Sequence, residues 1–321
     1  MTERKSLLLK RLAKVVCFIL LLAALLHAVS YLMLPSEEIK TSEARSDEVN
    51  KVFNEDKNSL DILFLGHSGA YSAISPMELY KEYGFTSYVC AQPVQLPWES
   101  VKLLKGVTKV QSPKLVVVEV DHLFYDKQST ESWNEIRGGF FKAFPVFRYH
   151  AAWKDWFTND KQHSRSATKG FFLSRDVKPY TGNKKPIKTD KVYKIKKRQL
   201  KSLEKICEIC TKRNIALMFV EVPSVILWDY SKYNAVKQFA DEKNIPFIDM
   251  NQCFESFGFD WKTDTRDKGD HLNYSGARKV SSFLGKYIKD HYSLESRKGN
   301  PKYKSWETDL VRYEELVKGE T

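Results

Sequence analysis

The chain has 321 residues, of which 42% are hydrophobic, 13% aromatic and 29% charged, too apolar and too aromatic for a disordered polymer. Its 14 Gly and 11 Pro exclude collagen-like and low-complexity classes, and five Cys exclude a disulfide scaffold. The net charge of +12 directs attention to anionic partners: nucleic acid, a membrane surface or an acidic polymer.

The apolar residues are unevenly spread. The twenty residues Val15–Leu34 contain no Asp, Glu, Lys or Arg. A helix of about twenty residues crosses the hydrocarbon core of a bilayer. Before it stand Arg4, Lys5, Lys10, Arg11 and Lys14 against Glu3; after it come Glu37, Glu38 and Glu43 against Lys40. The positive-inside rule therefore predicts a single-pass protein with a cytoplasmic N-terminus and everything after Pro35 exported. The span ends in Tyr-Leu-Met-Leu-Pro rather than a small-x-small site, which favours an uncleaved signal-anchor over a cleaved signal peptide. His27 and Ser30 read as polar residues tolerated near the outer interface. The expected organisation is a basic end and anchor over 1–35, a polar stalk over 36–59, an α/β domain over 60–292 and a polar tail over 293–321.

Within the α/β domain, Leu60–Leu65 is a short apolar run closed by Gly66, which predicts a buried strand. A helix starts at Ser75-Pro76 and stops before Gly84. Strands follow at 87–90, 114–120, 215–222 and 246–250, with helices at 98–110, 199–213, 231–243 and 274–291. Short apolar strands alternating with helices predict a three-layer α/β/α sandwich on a five-stranded parallel sheet, flavodoxin-like, preceded by one transmembrane helix. Residues 122–198, rich in aromatics and bases, interrupt the alternation and read as an insertion or cap. A short amphipathic helix is expected around Trp306–Val317.

Ligands of open α/β sheets bind outside the C-terminal ends of the strands. Gly66-His67-Ser68-Gly69 lies there, after the first strand, and can expose Ser68 with backbone N–H groups facing an oxyanion. Asp267-Lys-Gly-Asp270-His271 lies just before the last helix and offers a general base flanked by carboxylates. A Ser after strand one and an Asp/His pair before the last helix resemble the SGNH/GDSL hydrolase superfamily. The stretch His271-Leu-Asn-Tyr-Ser-Gly-Ala277, with the N-terminal anchor, looks most like the membrane-anchored DltD-like branch. The resemblance covers roughly residues 60–292.

That resemblance implies Ser68 as nucleophile and His271 as base, paired with Asp267 or Asp270. Adjacent side chains in a turn diverge, so Asp267 ranks first. It also implies oxyanion donors at Gly69 and near Gln92, a cell-envelope polysaccharide or teichoic-type polymer as substrate, and a membrane-bound O-acyltransferase as a partner. The chain departs from the pattern in three places. His67 stands where the superfamily has Asp in Gly-Asp-Ser. Lys268 occupies the usual position of the final Asp. Glu119-Val-Asp121-His122 stands where Gly-x-Asn-Asp is expected. Two readings follow: an extracytoplasmic esterase or O-acyltransferase working through an acyl-Ser, or a non-catalytic anchored partner using the same fold.

His67 can orient groups beside Ser68. In the insertion, His150 and Trp153 either face the pocket, with Trp153 as a sugar platform, or pack the cap onto the sheet. His67, Glu119, Asp121 and His122 lack metal-ligand spacing, so neither metal nor cofactor is expected. Cys207 and Cys210 sit on the apolar face of a helix and read as core, while Cys90 and Cys253 are free thiols or a bridge. Lys184–Arg198 holds eight bases against Asp190 and suits an anionic polymer or outer-leaflet head groups. No nucleic-acid motif is present and the segment is expected to be exported, so nucleic acid is not an expected partner. Residues 1–14 contribute +4 (five bases less Glu3), leaving +8 for the rest of the +12.

Overall fold

Runs of Ile, Leu, Phe and Val four to six residues long are too short to be helices and too apolar to be half-exposed strands; they suit parallel strands buried on both faces. The computed structural model shows this arrangement. It describes residues 2–32, 46–125, 136, 139–140, 143–144, 147, 165–182 and 188–319. These form two compact units, residues 1–41 with 127–162 and residues 42–126 with 163–321.

In the first unit, helix α1 (Thr2–Leu32) contains the segment Lys5–Ser30, long and apolar enough to cross a membrane. Ser30 Oγ donates to the Leu26 carbonyl at 2.6 Å, so its hydroxyl is satisfied within the helix. His27 Nδ1 lies 2.8 Å from the Ala143 carbonyl.

In the second unit, the five strands are β1 (Ile62–Gly66), β2 (Ser87–Ala91), β3 (Leu115–Glu119), β4 (Ala216–Glu221) and β5 (Phe247–Asp249). All pair in parallel in the order β2-β1-β3-β4-β5, the flavodoxin-like order. The helices are α2 (Ser68–Ala73), α3 (Pro76–Tyr83), α4 (Pro97–Val107), α5 (Lys197–Lys212), α6 (Tyr230–Glu242), α7 (Tyr274–His291) and α8 (Lys304–Lys318). Helix α7 packs on α2 and α3, and α5 packs on α4. The period of two puts Ile62, Phe64, Val89, Val117, Met218 and Val220 into one core with Leu79, Val280, Leu284 and Ile288 of the helices.

Three segments pack differently from the sequence expectation. Within the expected stalk, Asp47–Asn54 folds into two short helical turns that bury Val49, Val52 and Phe53. Residues 293–321 are more than a polar tail: α8 buries Trp306, Asp309 and Tyr313. Lys169 is fully buried and explains the docking. Its Nζ lies 2.8 Å from Glu55 and 2.6 Å from Asp309, and 4.6 Å from the centre of the Trp306 ring. A fully desolvated ammonium persists only with such partners. The expected insertion is likewise not one piece: residues 165–182 run along the second unit, with Phe172 N–H donating to Tyr71 O (2.8 Å) and Lys178 N–H to Thr265 O (3.0 Å). The Cys are free thiols, and Cys210 is buried on the inner face of α5.

Candidate active site

The C-terminal ends of the strands collect the polar residues. Strand β1 delivers His67 and Ser68, β3 delivers Glu119, Asp121 and His122, and β4 delivers Glu221. Ser68 is half-buried at the first position of α2. The capping position is His67, not Ser68: its Nδ1 lies 3.1 Å from the Gly69 amide nitrogen. Gly66 is needed at the turn. A Cβ there would lie 2.6 Å from Glu119 Oε2 and 2.8 Å from the Ala70 methyl.

The loop from Arg266 to His271 is closed as a hairpin. Thr265 bridges Leu272 in antiparallel fashion, and Arg266 N–H donates to His271 O at 3.1 Å. Lys268 (φ 67°) and Gly269 (φ 94°) adopt the left-handed region that turns the chain back. This fold-back places Asp267 against His271. Asp267 Oδ1 accepts the His271 backbone N–H at 2.6 Å, and Oδ2 lies 2.6 Å from ring Nδ1. Asp270 Oδ2 is 3.4 Å from the same nitrogen. Of the two carboxylates left open by the sequence, Asp267 is the one that holds the ring. His271 Nε2 is buried and has no hydrogen-bond partner among the described residues, so Ser68 Oγ is not bonded to it here. The loop docks on α2: Arg266 Nη2 donates to Ser72 Oγ at 2.9 Å, one turn beyond Ser68.

The charges follow from these contacts. Burial pushes the Asp267 carboxyl up, but the two bonds from His271 more than offset this and hold it below the usual carboxylate range. Burial raises Asp270, and the neighbouring Asp267 adds to it. Asp267, Asp270 and His271 offer ligand atoms within 4.8 Å of one another, a spacing a cation could use. Both oxygens of Asp267 are already engaged by His271, which suits a hydrogen-bonded pair.

Beneath Ser68 lies a second cluster. His67 Nε2 is 3.1 Å from Asp121 Oδ2, and its Nδ1 is 3.2 Å from Glu119 Oε2. Burial alone would depress the imidazole, but Glu119 and Asp121 overcome it and push it up to about 10. Glu119 also accepts the His67 backbone N–H (3.1 Å) and the Asp121 N–H (3.0 Å). Lys232 of α6 holds Asp121 Oδ1 at 2.9 Å and donates to the Leu227 carbonyl. Burial is the largest influence on both carboxyls and is outweighed by His67, so Glu119 and Asp121 sit below their ordinary values. Glu221 goes the other way. Burial, with Glu119 and Asp121 close by, raises it well above its usual value. His122 is driven down to about 4 by burial, and its Nδ1 is bonded to the Glu119 carbonyl at 2.5 Å.

Gln92 lies apart from this chemistry. It is buried, its Oε1 accepts Ser46 N–H at 3.1 Å, and its Nε2 faces Glu99 at 3.4 Å. Those bonds tie the loop after β2 to Ser46 and to α4. His150 and Trp153 fall outside the described residues. Lys232 had no local signal in the sequence, since it is 111 residues from Asp121. Glu119 did have one, as an acid closing an otherwise β-branched buried strand.

No family model matches the sequence, and no curated protein matches it. Solved structures do. A protein assigned as an acylhydrolase, from Bacteroides fragilis, is 13% identical with a TM-score of 0.40, over 77% of this chain and 97% of that one. A GDSL-like lipase from Bacteroides thetaiotaomicron is 10% identical with a TM-score of 0.37, over 71% and 87%. A lipolytic protein of the GDSL family from Desulfitobacterium hafniense is 10% identical with a TM-score of 0.40, over 70% and 97%.

Proposed function

We propose that this chain is a membrane-anchored, extracytoplasmic ester hydrolase or O-acyltransferase of the SGNH type. The observation that carries the reading is the state of His271. Asp267 engages ring Nδ1 at 2.6 Å, while Nε2 is buried and unpartnered among the described residues, in a loop docked on the helix that Ser68 opens. That is the arrangement a general base needs.

Ser68 Oγ attacks the ester carbonyl carbon and passes its proton to His271 Nε2. The tetrahedral oxyanion is met by backbone N–H groups of Ser68 and Gly69. On collapse, the departing alcohol takes the proton from His271 and leaves an acyl-Ser68. Attack by water completes hydrolysis; attack by a sugar or polyol hydroxyl completes transfer. The acceptor is a cell-envelope polysaccharide or teichoic-type polymer, in keeping with the anchor and the basic Lys184–Arg198 segment. The basic residues before the apolar span favour a cytoplasmic N-terminus.

The test is labelling of the full-length protein by a fluorophosphonate, together with turnover of a small acetyl ester. Ser68→Ala should lose both; unchanged turnover in that variant would sink the assignment. The second reading, a non-catalytic partner of a membrane-bound O-acyltransferase, is favoured by one observation: Ser68 Oγ does not occupy His271 Nε2. A wild-type protein that never labels at Ser68 would point to it.

A further inference from the structure

His67 Nδ1 faces two groups that cannot both be served. The Gly69 N–H, a donor, lies 3.1 Å away, and Glu119 Oε2, an acceptor, lies 3.2 Å away. A ring nitrogen either carries a proton or accepts one. If Nδ1 is bare, it takes the Gly69 amide. If it is protonated, it turns to Glu119 and the amide is released. The other ring nitrogen has one role in both cases, since Asp121 Oδ2 accepts from Nε2 at 3.1 Å.

We propose that His67 is a positioning residue for the Ser68 site. Its Nδ1 proton, given to Glu119, keeps the Gly69 amide free for the oxyanion, and loss of that proton lets Nδ1 capture the amide. The proposal rests on the esterase reading for the use of the freed amide, but the exchange of partners at Nδ1 stands by itself. Titratable groups from several elements face or flank the ring. Strand β3 supplies Glu119 and Asp121, both ionised, and His122, whose ring centre is 6.5 Å from that of His67. Strand β4 supplies Glu221, raised well above its usual value, and the last loop supplies Asp270, whose charge is felt at His67. Helix α6 supplies Lys232, which is spent on Asp121 rather than facing the ring. Two carboxylates in contact with a buried imidazole outweigh one ammonium a residue further off, so the charged ring prevails near neutral pH.

The experiment follows ring nitrogens and backbone amides of the full-length protein by nitrogen-15 NMR, with His67 assigned through His67→Gln. Wild type should show both His67 nitrogens protonated at pH 7. Glu119→Gln and Asp121→Asn each remove one of the two charges, and in either variant that folds the His67 titration should fall to between pH 6 and 9. The Gly69 amide should shift with the same midpoint as the ring. The ratio of variant to wild-type fluorophosphonate labelling should fall at least fivefold across that midpoint, because Nδ1 takes the amide as it loses its proton. A ratio to wild type cancels the pH effects that the proteins share. A wild-type His67 carrying one ring proton at pH 7, or a Gly69 amide indifferent to the His67 titration, would overturn the proposal. Failure of Ser68 to label in every protein would remove the esterase reading instead, and the two NMR titrations would still decide the partner exchange.

Discussion

Replacing Asp267 and Asp270 one at a time separates a hydrogen-bonded carboxylate from one that is merely near. Asp267→Asn keeps the oxygen that accepts the His271 N–H at 2.6 Å but turns an amide N–H toward ring Nδ1. Nδ1 must then accept, which moves the ring proton to Nε2 and removes the base that the proposed mechanism needs. Loss of the charge-assisted bond costs roughly 1.5–3 kcal/mol. The reversed tautomer brings the total to about 4–5.5 kcal/mol, or roughly 10³–10⁴-fold in rate. Asp270 Oδ2, at 3.4 Å, is beyond good hydrogen-bond distance, so Asp270→Asn should cost less than about 1 kcal/mol, about fivefold. The assay is second-order labelling of Ser68 by a fluorophosphonate, with urea unfolding as a control for folding. Equal losses in the two variants, or a larger loss in Asp270→Asn, would refute the assignment of Asp267 as the residue that sets the ring.

Four further outcomes follow from other contacts. Lys169→Met leaves the buried Glu55 without the ammonium that contacts it, while Asp309 keeps Arg165 and Arg312, so urea denaturation should show a loss of about 3–5 kcal/mol. For stability against pH, His67 binds its proton more tightly folded (about 10) than unfolded (6.5). Its contribution is therefore complete below pH 6.5 and is lost as pH rises toward 10, so the urea midpoint should fall across that window and fall less in His67→Gln. Its neighbour behaves oppositely: His122, at about 4 when folded, takes stability away as pH drops from 6.5 toward 4. Gly66→Ala forces a methyl to within 2.6 Å of Glu119 Oε2. Circular dichroism melting should show destabilisation of about 1–3 kcal/mol from overpacking, and the His67 ring resonances should move as Glu119 is displaced.

The sheet was legible because its strands are almost purely apolar. The runs at β1, β3 and β4 are buried on both faces, so composition alone identifies them, and each structural boundary lies within two residues of the expected one. Helix α2 was missed. Its six residues, Ser-Gly-Ala-Tyr-Ser-Ala, carry two Ser and a Gly and no apolar stripe, and it is held by packing on α7 rather than by propensity. The pairing of Asp267 with His271 could be ranked from turn geometry but not fixed, since it depends on Lys268 and Gly269 both turning left-handed. Tertiary ties across long stretches of chain, Lys232 to Asp121 or Lys169 to Asp309, have no local signature at all.

The departures from the superfamily pattern change meaning once their contacts are known. His67 in place of Asp, and Glu119-Val-Asp121-His122 in place of Gly-x-Asn-Asp, look like two independent losses when read along the chain. In space they are partners: His67 meets Asp121 at 3.1 Å and Glu119 at 3.2 Å. Either change alone would be costly. A His at 67 without the acids would be a buried imidazole with its charged form disfavoured, and the acids without His67 would be adjacent desolvated carboxylates with Lys232 as their one cation in contact. Together His67 and Lys232 set two cations against Glu119 and Asp121, which keeps the cluster close to charge balance.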